Sequence, residues 1–93
     1  MMVYISGGIT NVPNYKEHFA EAEAYLKSQG HEVINPCMIV LPESCTWSDY
    51  MKIDLGLLSL CDTVYMLKWY SKSRGAMVEL KTAMQLNKNI IYQ

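Results

Sequence analysis

The amino-acid sequence predicts an α/β fold, a four-stranded parallel sheet ordered 2-1-3-4 with helices on both faces, and three observations predict it. Four short β-prone runs alternate with three segments of helical period, giving the string βαβαβαβ. Each helical segment opens on an asparagine, threonine or serine placed to cap it. The connections are short, so right-handed crossovers leave few topologies, of which 2-1-3-4 is the common one for this string. A length of 93 residues fits one domain, 1–93, and not two.

The first strand is Met2 to Ser6, a β-prone run that stops at Gly7-Gly8, where glycine allows a sharp turn. Asn14 with Glu17 three residues on forms a capping box for the first helix. Its apolar stripe is Tyr15, Phe19, Ala22 and Leu26, and Gly30 supplies a left-handed stop. His31 to Asn35 is the second strand, ended by Pro36. The following loop carries Met38, Ile39, Val40 and Leu41, too apolar to be solvated throughout, so part of it is expected to pack on the domain or on a neighbouring subunit. Thr46 with Asp49 caps the second helix, whose stripe runs Tyr50, Ile53, Leu57, Leu58 and Cys61. At about 100° per residue this stripe centres about 10° from Tyr50, and Asp54 falls at about 40°, pointing inward. Thr63 to Leu67 is the third strand. Ser73 caps the third helix, with Ala76, Met77, Leu80, Ala83 and Met84 as its buried face and Glu79 at the edge of that face. Asn89 to Tyr92 is the fourth strand. The arrangement is Rossmann-like or flavodoxin-like.

Composition excludes several classes. Eight Lys+Arg against nine Asp+Glu give a net charge of −1, and without a basic cluster there is no electrostatic footprint for nucleic acid or an anionic membrane surface. No stretch approaches the roughly 18 apolar residues of a membrane span, and no charged leader precedes the first strand, so a cytoplasmic location is expected. Cys37, Cys45 and Cys61 are odd in number and lack CxxC spacing, which suits reduced thiols rather than disulfides or zinc. No metal or other cofactor is expected. A small domain with 51% hydrophobic content and an apolar 38–41 loop is expected to pair as a homodimer or higher homo-oligomer.

In a 2-1-3-4 sheet, ligands bind beyond the carboxyl ends of strands one and three, where the crossovers diverge. The loops emptying there are Gly7 to Asn14 and Lys68 to Gly75. Gly7-Gly8 either admits a sugar or phosphate or simply turns the chain. Ser73-Arg74-Gly75 either offers helix N–H groups to an anion or is an ordinary cap. Asp54 is more informative, because a mid-stripe carboxylate costs several kcal/mol to bury unless it is paired or lines a polar pocket. Glu79 by itself suits a solvated or capping role. Two acids on helices that both flank strand three make the pair a candidate site.

Taken together, Tyr4-Ile5-Ser6-Gly7-Gly8-Ile9-Thr10, Asp54-Leu55 followed by Cys61-Asp62-Thr63-Val64, and Ser73-Arg74-Gly75 with Glu79-Leu80 resemble the three successive motifs of the nucleoside 2-deoxyribosyltransferase superfamily. That superfamily includes the related deoxynucleoside 5′-monophosphate N-hydrolases. The resemblance covers most of the chain and is closest to the short deoxyribosyltransferase-like proteins of bacteria and phages. It implies a small nucleoside or nucleotide as partner and cleavage or transfer at its N-glycosidic bond. Glu79 would be the nucleophile, Asp54 the acid near the leaving base, and Tyr4 would touch the sugar or orient Glu79. Ser6, Gly7, Gly8, Ile9, Ser73, Arg74 and Gly75 would hold the substrate, with Tyr50, Trp69 and Tyr70 as candidates to stack on the base. Asp62 reads as structural. The monophosphate-hydrolysing branch carries an arginine after its glycine turn where this chain has Thr10, and family members continue into a fifth strand beyond the position of Gln93. Two other readings use the same residues: a non-catalytic nucleotide-binding module, in which Glu79 is no nucleophile, and a structural protein that assembles through the 38–41 loop and its aromatic residues.

Overall fold

The structure is a computed structural model that describes residues 1–10 and 12–93. Its strands are β1 (Met2–Ser6), β2 (Glu32–Ile34), β3 (Thr63–Met66) and β4 (Asn89–Tyr92); its helices are α1 (Tyr15–Ser28), α2 (Trp47–Leu60) and α3 (Arg74–Gln85). Short 3-10 turns occupy Pro36–Met38 and Tyr70–Lys72. All pairings are parallel and the order is β2-β1-β3-β4, as expected from the sequence.

Strand residues alternate between faces, and the two cores follow that alternation. Val3 and Ile5 of β1 pack with Tyr65 and Leu67 against Phe19, Ala22 and Leu26 of α1. Tyr4, Val64 and Met66 face the other way, against Leu58 and Cys61 at the end of α2 and Ala76, Leu80 and Ala83 of α3. The chain therefore leaves β1 toward one face and β3 toward the other. The crevice between their carboxyl ends is open to a ligand.

Local chemistry explains where the elements end. Gly30, at φ +86°, closes α1 in a Schellman motif: its N–H donates to the Lys27 carbonyl (3.0 Å) and that of His31 to the Leu26 carbonyl (3.2 Å). That commitment keeps His31 out of β2. At the other end Asn35 uses its side-chain oxygen to accept from the Cys37 N–H (2.9 Å), which starts the 3-10 turn and ends the strand at Ile34 rather than Asn35. β3 stops at Met66, one residue short of Leu67. The capping box at Thr46 forms, with the Thr46 N–H donating to Asp49 Oδ2 at 2.8 Å and the Asp49 N–H to Thr46 Oγ1 at 3.3 Å. The expected box at Asn14 and Glu17 does not. Asn14 is left-handed (φ 58°) with no side-chain cap, and its backbone carbonyl instead accepts from the Glu17 and His18 N–H groups.

Two helices are rotated from their expected faces. In α2 the buried positions are Met51 and Leu58, while Ile53 is 42% exposed. The turn toward Met51 leaves Asp54, which is half-buried, on the flank of the packed face rather than near its centre. In α3 the small residues Ala76 and Ala83 sit against the sheet and Met77 and Met84 face outward, a rotation that buries Glu79, whose expected place was the edge. Small side chains let the helix axis approach the strands closely, which long methionines would prevent. The 38–41 loop divides: Met38 and Val40 are exposed, whereas Leu41 is half-buried and donates its N–H to the Tyr50 hydroxyl at 3.0 Å.

Gly7 is required for a reason other than turning. Gly30 is the glycine with positive φ among the described residues. A Cβ on Gly7 would instead lie 2.8 Å from Leu67 Cβ and Cδ1, so Gly7 exists to let β1 and the end of β3 run side by side. Gly56, within α2, has nothing within 4 Å of its Cβ position. Urea denaturation should accordingly show Gly7→Ala destabilised by about 1–3 kcal/mol through overpacking and Gly56→Ala stabilised by about 0.5–1 kcal/mol through helix propensity. Equal effects at the two positions would contradict the packing assigned to Gly7.

Candidate functional site

Tyr4 and Ser6 are two residues apart on β1, so both side chains project from the same face, toward α3. There they meet Glu79. The Tyr4 hydroxyl donates to Glu79 Oε2 at 2.5 Å and the Ser6 hydroxyl to Oε1 at 2.7 Å, with all three residues buried. Each carboxylate oxygen has one of its two acceptor positions filled from below and one left for the crevice. Glu79 is only 5% exposed, and this burial, with the nearby Asp54 charge, pushes its carboxyl up to about 7 against the lowering pull of its two donors. Burial first, then the Glu79 and Asp54 charges, drive the Tyr4 phenol above its usual range, which keeps it protonated and a donor.

Asp54 lines the same cavity from α2. Its Oδ1 is buried and has no hydrogen-bond partner, and burial raises the carboxyl to about 6. The two acids thus open on one space of about 720 Å³. Its walls come from four segments: Gly7, Ile9, Thr10, Tyr15 and Lys16 after β1; Pro36, Cys37, Ile39 and Val40 after β2; Trp47, Tyr50, Met51 and Asp54 of α2; and Lys72, Ser73, Arg74, Gly75 and Glu79 around the start of α3. Small-molecule sites have such dimensions and such a mixture of apolar wall and few polar groups.

Of the substrate-holding candidates, Gly7, Ile9, Ser73, Arg74 and Gly75 line this cavity. Ser73 is also a true cap, its hydroxyl accepting from the Ala76 N–H at 3.1 Å. Ser6 lies beneath the site and acts through Glu79. Gly8 and Trp69 are elsewhere: they border a separate small depression with Val12, His18, Lys68 and Gln93. Trp69 has a left-handed backbone (φ 64°) just after β3, is 58% exposed and sets its ring against His18 at 6.2 Å. Tyr70 packs against Tyr92, with ring centres 5.6 Å apart. Of the three proposed stacking residues, Tyr50 alone is on the cavity.

Trp47 was missing from the expected set. The Arg74 guanidinium lies over its ring, 4.3 Å from the centroid, so the two residues build one wall. A signal for it existed: Trp47, Tyr50, Met51 and Asp54 stand at i, i+3, i+4 and i+7, one continuous helical stripe. Lys16, Lys72 and Thr10 carried no such pattern. Among the described residues no group of His, Cys, Asp or Glu is arranged to hold a metal ion, and no helix is long and apolar enough to cross a membrane.

A buried acid whose proton affinity rises on folding links stability to pH. The folded state holds the Glu79 proton more tightly than the unfolded chain does, so stability is fullest below the ordinary carboxylate range, near 4.5, and declines as pH rises to about 7. Urea titrations at pH 5 and pH 8 should show the wild type losing on the order of 3 kcal/mol through this group. Glu79→Gln should remove most of that loss, and an unchanged pH dependence in the variant would refute the burial of a raised carboxyl.

Comparison with known proteins places this fold. A search of the curated proteins finds no match. Among solved structures the chain is similar to the 2-deoxyribosyltransferase of the psychrotolerant bacterium Bacillus psychrosaccharolyticus, at 21% identity and TM-score 0.79 over 99% of this chain and 71% of that one. It is also similar to the CMP N-glycosidase BcmB of Clostridium botulinum, at 20% identity and TM-score 0.70 over 99% and 67% of the two chains. A third similar structure is the 2-deoxyribosyltransferase of Leishmania mexicana, at 19% identity and TM-score 0.74 over 98% and 62%. The chain thus spans 62% to 71% of the length of these proteins and has their fold. One family model, described as "Domain of unknown function (DUF4406)", matches residues 1–92, and the chain belongs to that family.

Proposed function

We propose that this chain cleaves, or transfers at, the N-glycosidic bond of a (deoxy)nucleoside or nucleotide, with Glu79 as nucleophile. The observation that carries the proposal is a buried glutamate whose two oxygens are each fixed by a hydroxyl of β1 while facing a cavity shared with a second, unpartnered carboxyl. Ordinary structural glutamates are solvated or paired with a cation, and this one is neither. The fold neighbours include two enzymes named for deoxyribosyl transfer and one for N-glycoside cleavage, which supports the same class of chemistry.

The geometry supports the following course of reaction. The free lone pair of ionised Glu79 attacks the anomeric carbon as the bond to the base breaks, through an oxocarbenium-like transition state. Protonated Asp54 gives its proton to the departing base. A glycosyl ester on Glu79 results. Water or a second base then attacks the anomeric carbon, Asp54 takes the proton back, and Glu79 leaves as the carboxylate. Tyr4 and Ser6 hold the oxygens in place and stabilise the negative charge whenever it is present.

The active form needs Glu79 ionised and Asp54 protonated, whereas their values of about 7 and about 6 stand in the opposite order. The competent arrangement is then about a tenth of the singly protonated pair, and the pair titrates together. We expect kcat/KM for base release to be bell-shaped, with limbs near 6 and 7, as those of the free enzyme. Tyr4→Phe, which deletes a donor that lowers the Glu79 carboxyl, should move a limb to higher pH and slow the reaction. A pH-independent rate across this range would contradict the two-acid assignment.

Replacing Glu79 by Gln keeps the shape and removes the anion, so base release should fall at least ~10³-fold while ligand binding survives. Mass spectrometry after brief mixing with substrate should find a deoxyribosyl adduct on Glu79 of the wild type and none on the variant. If Glu79→Gln releases base at the wild-type rate, the nucleophile is another group. If the wild type binds nucleotides and releases no base from any, the protein is a binding module. The exposed Val40, which lines the cavity and is 84% exposed, and the exposed Met38 of the same loop support pairing with a second copy; light scattering at micromolar concentration should then return at least twice the 10.7 kDa chain mass.

A further inference from the structure

β4 is an edge of the sheet, and among the described residues no strand lies beyond it. The N–H groups of Asn89 and Gln93 donate to the carbonyls of Asp62 and Met66, at 3.0 and 2.8 Å, on the β3 side. Backbone direction alternates along a strand, so residues 89, 91 and 93 turn their polar groups to β3 while Ile90 and Tyr92 turn theirs outward. Each chain therefore offers a row of two N–H donors and two carbonyl acceptors that have no partner among the described residues. The segment Asn89–Tyr92 contains no charge and no proline, the devices that keep an open edge from pairing. The opposite edge has them: β2 is three residues long, begins on the exposed Glu32 and runs into Pro36. We propose that the β4 edge is an interface with a second copy of this chain, in which the two β4 strands pair antiparallel about a two-fold axis and join two four-stranded sheets into one.

Self-complementarity selects a second copy as the partner and fixes the register. A two-fold axis normal to the sheet can only pair a strand with itself antiparallel. Centring that axis on Ile91 sets Ile90 opposite Tyr92 of the second copy, and every outward N–H and carbonyl then meets its counterpart. Centring it on Ile90 would instead set Tyr92 against Lys88, whose N–H is already committed to the Ala83 carbonyl at 2.9 Å. In the first register Ile91, exposed beside Tyr65 on the α1 face, meets its own image as a non-hydrogen-bonded pair, with Cα atoms about 4.5 Å apart. On the other face Ile90 packs on Tyr92 of the second copy. At about 100° per residue, Met77 and Met84 stand on the side of α3 away from Gly75, whose Cβ position faces Met51 and Trp47 of α2. They therefore overhang the β4 edge, and both are exposed. Their flexible thioether chains suit a contact that must fit its own image. The adjoining Lys88 directs its Nζ to the Ser59 carbonyl at 3.0 Å. This surface is distinct from the 38–41 loop, which follows β2 at the other edge. The axis reverses strand direction, so the two cavities open at opposite ends of the joined sheet, each built by one chain. None of this depends on the chemistry proposed for Glu79.

Light scattering at micromolar concentration tests the interface with Ile91→Lys, which sets two cations face to face at the axis and alters neither core cluster. Its mass should be half that of the wild type, with an unchanged far-UV circular dichroism spectrum. Amide exchange at Ile90 and Tyr92 should be slower in the wild type than in this variant by at least ~10-fold. Ile91→Cys should form, under a mild oxidant, a dimer cross-linked between the two introduced thiols, because directly opposed side chains come within disulfide reach. Peptide mass spectrometry locates the bond, and this arm decides the matter should Ile91→Lys fail to fold. A monomeric wild type, or Ile90 and Tyr92 amides that exchange freely in it, overturns the interface. An Ile91→Lys variant that keeps the wild-type mass also overturns it and leaves the pairing to another surface, such as the 38–41 loop. An Ile91→Cys protein that stays uncross-linked, or links only through Cys37 or Cys45, does the same.

Discussion

The site depends on one arrangement: a carboxylate on α3 held at both oxygens by hydroxyls two residues apart on β1. Its parts are separated by more than seventy positions in sequence, so only the completed sheet brings them together. Tyr4 and Ser6 point the same way because strand side chains repeat every second residue. Glu79 reaches them because Ala76 and Ala83 let α3 lie close on the strands. Gly7 sets the next constraint, since its missing Cβ lets the end of β1 lie against Leu67. A shift of one residue in the β1–β3 register would turn Tyr4 and Ser6 to the α1 face and leave Glu79 buried with no donor.

That arrangement is poor for stability. A carboxyl buried to this extent holds its proton to about 7, and Asp54 opposite keeps an oxygen buried without a partner. Apolar residues at both positions would remove the desolvation cost and pack at least as well. Strain of this kind is found at sites where chemistry uses it. The rest of the fold offsets it with two apolar layers, one on α1 and one on α2 and α3, whose buried residues include Val3, Tyr4 and Ile5 of β1.

Legibility in the sequence followed how local each determinant is. Strand order, the Thr46 box, the Ser73 cap and the Gly30 stop rest on residues within a few positions of one another, and they could be read directly. The inward direction of Asp54 was legible from helical period, although the true face of α2 is centred nearer Met51 than the stripe suggested. Asn14 misled because its type and the spacing to Glu17 satisfy the capping pattern while its backbone is left-handed. Trp69 misled for a similar reason: the loop places it after β3 as expected, but a positive φ turns its ring to His18. Backbone handedness at a non-glycine residue leaves no mark in the sequence. The role of Gly7 was legible as a requirement for glycine and misassigned in cause, because Leu67 lies sixty residues away.

The distribution of polar groups around the cavity has a consequence for how a ligand would orient. Acids sit at the floor, where sheet and helices exclude water; basic side chains sit exposed at the rim, where solvent screens them until something covers the opening. Trp47, Tyr50, Ile39 and Val40 add an apolar side to the same cavity. The fold thus encodes direction through a gradient of burial along α3, from exposed Arg74 to buried Glu79 within two turns. Because the acids gain their altered proton affinity from that same burial, binding that removes further water disfavours ionisation of both at once, so that the pair keeps one proton, the state the proposed reaction uses. Orientation and the readiness of the two acids are in this way consequences of one feature, the depth at which α3 meets β1.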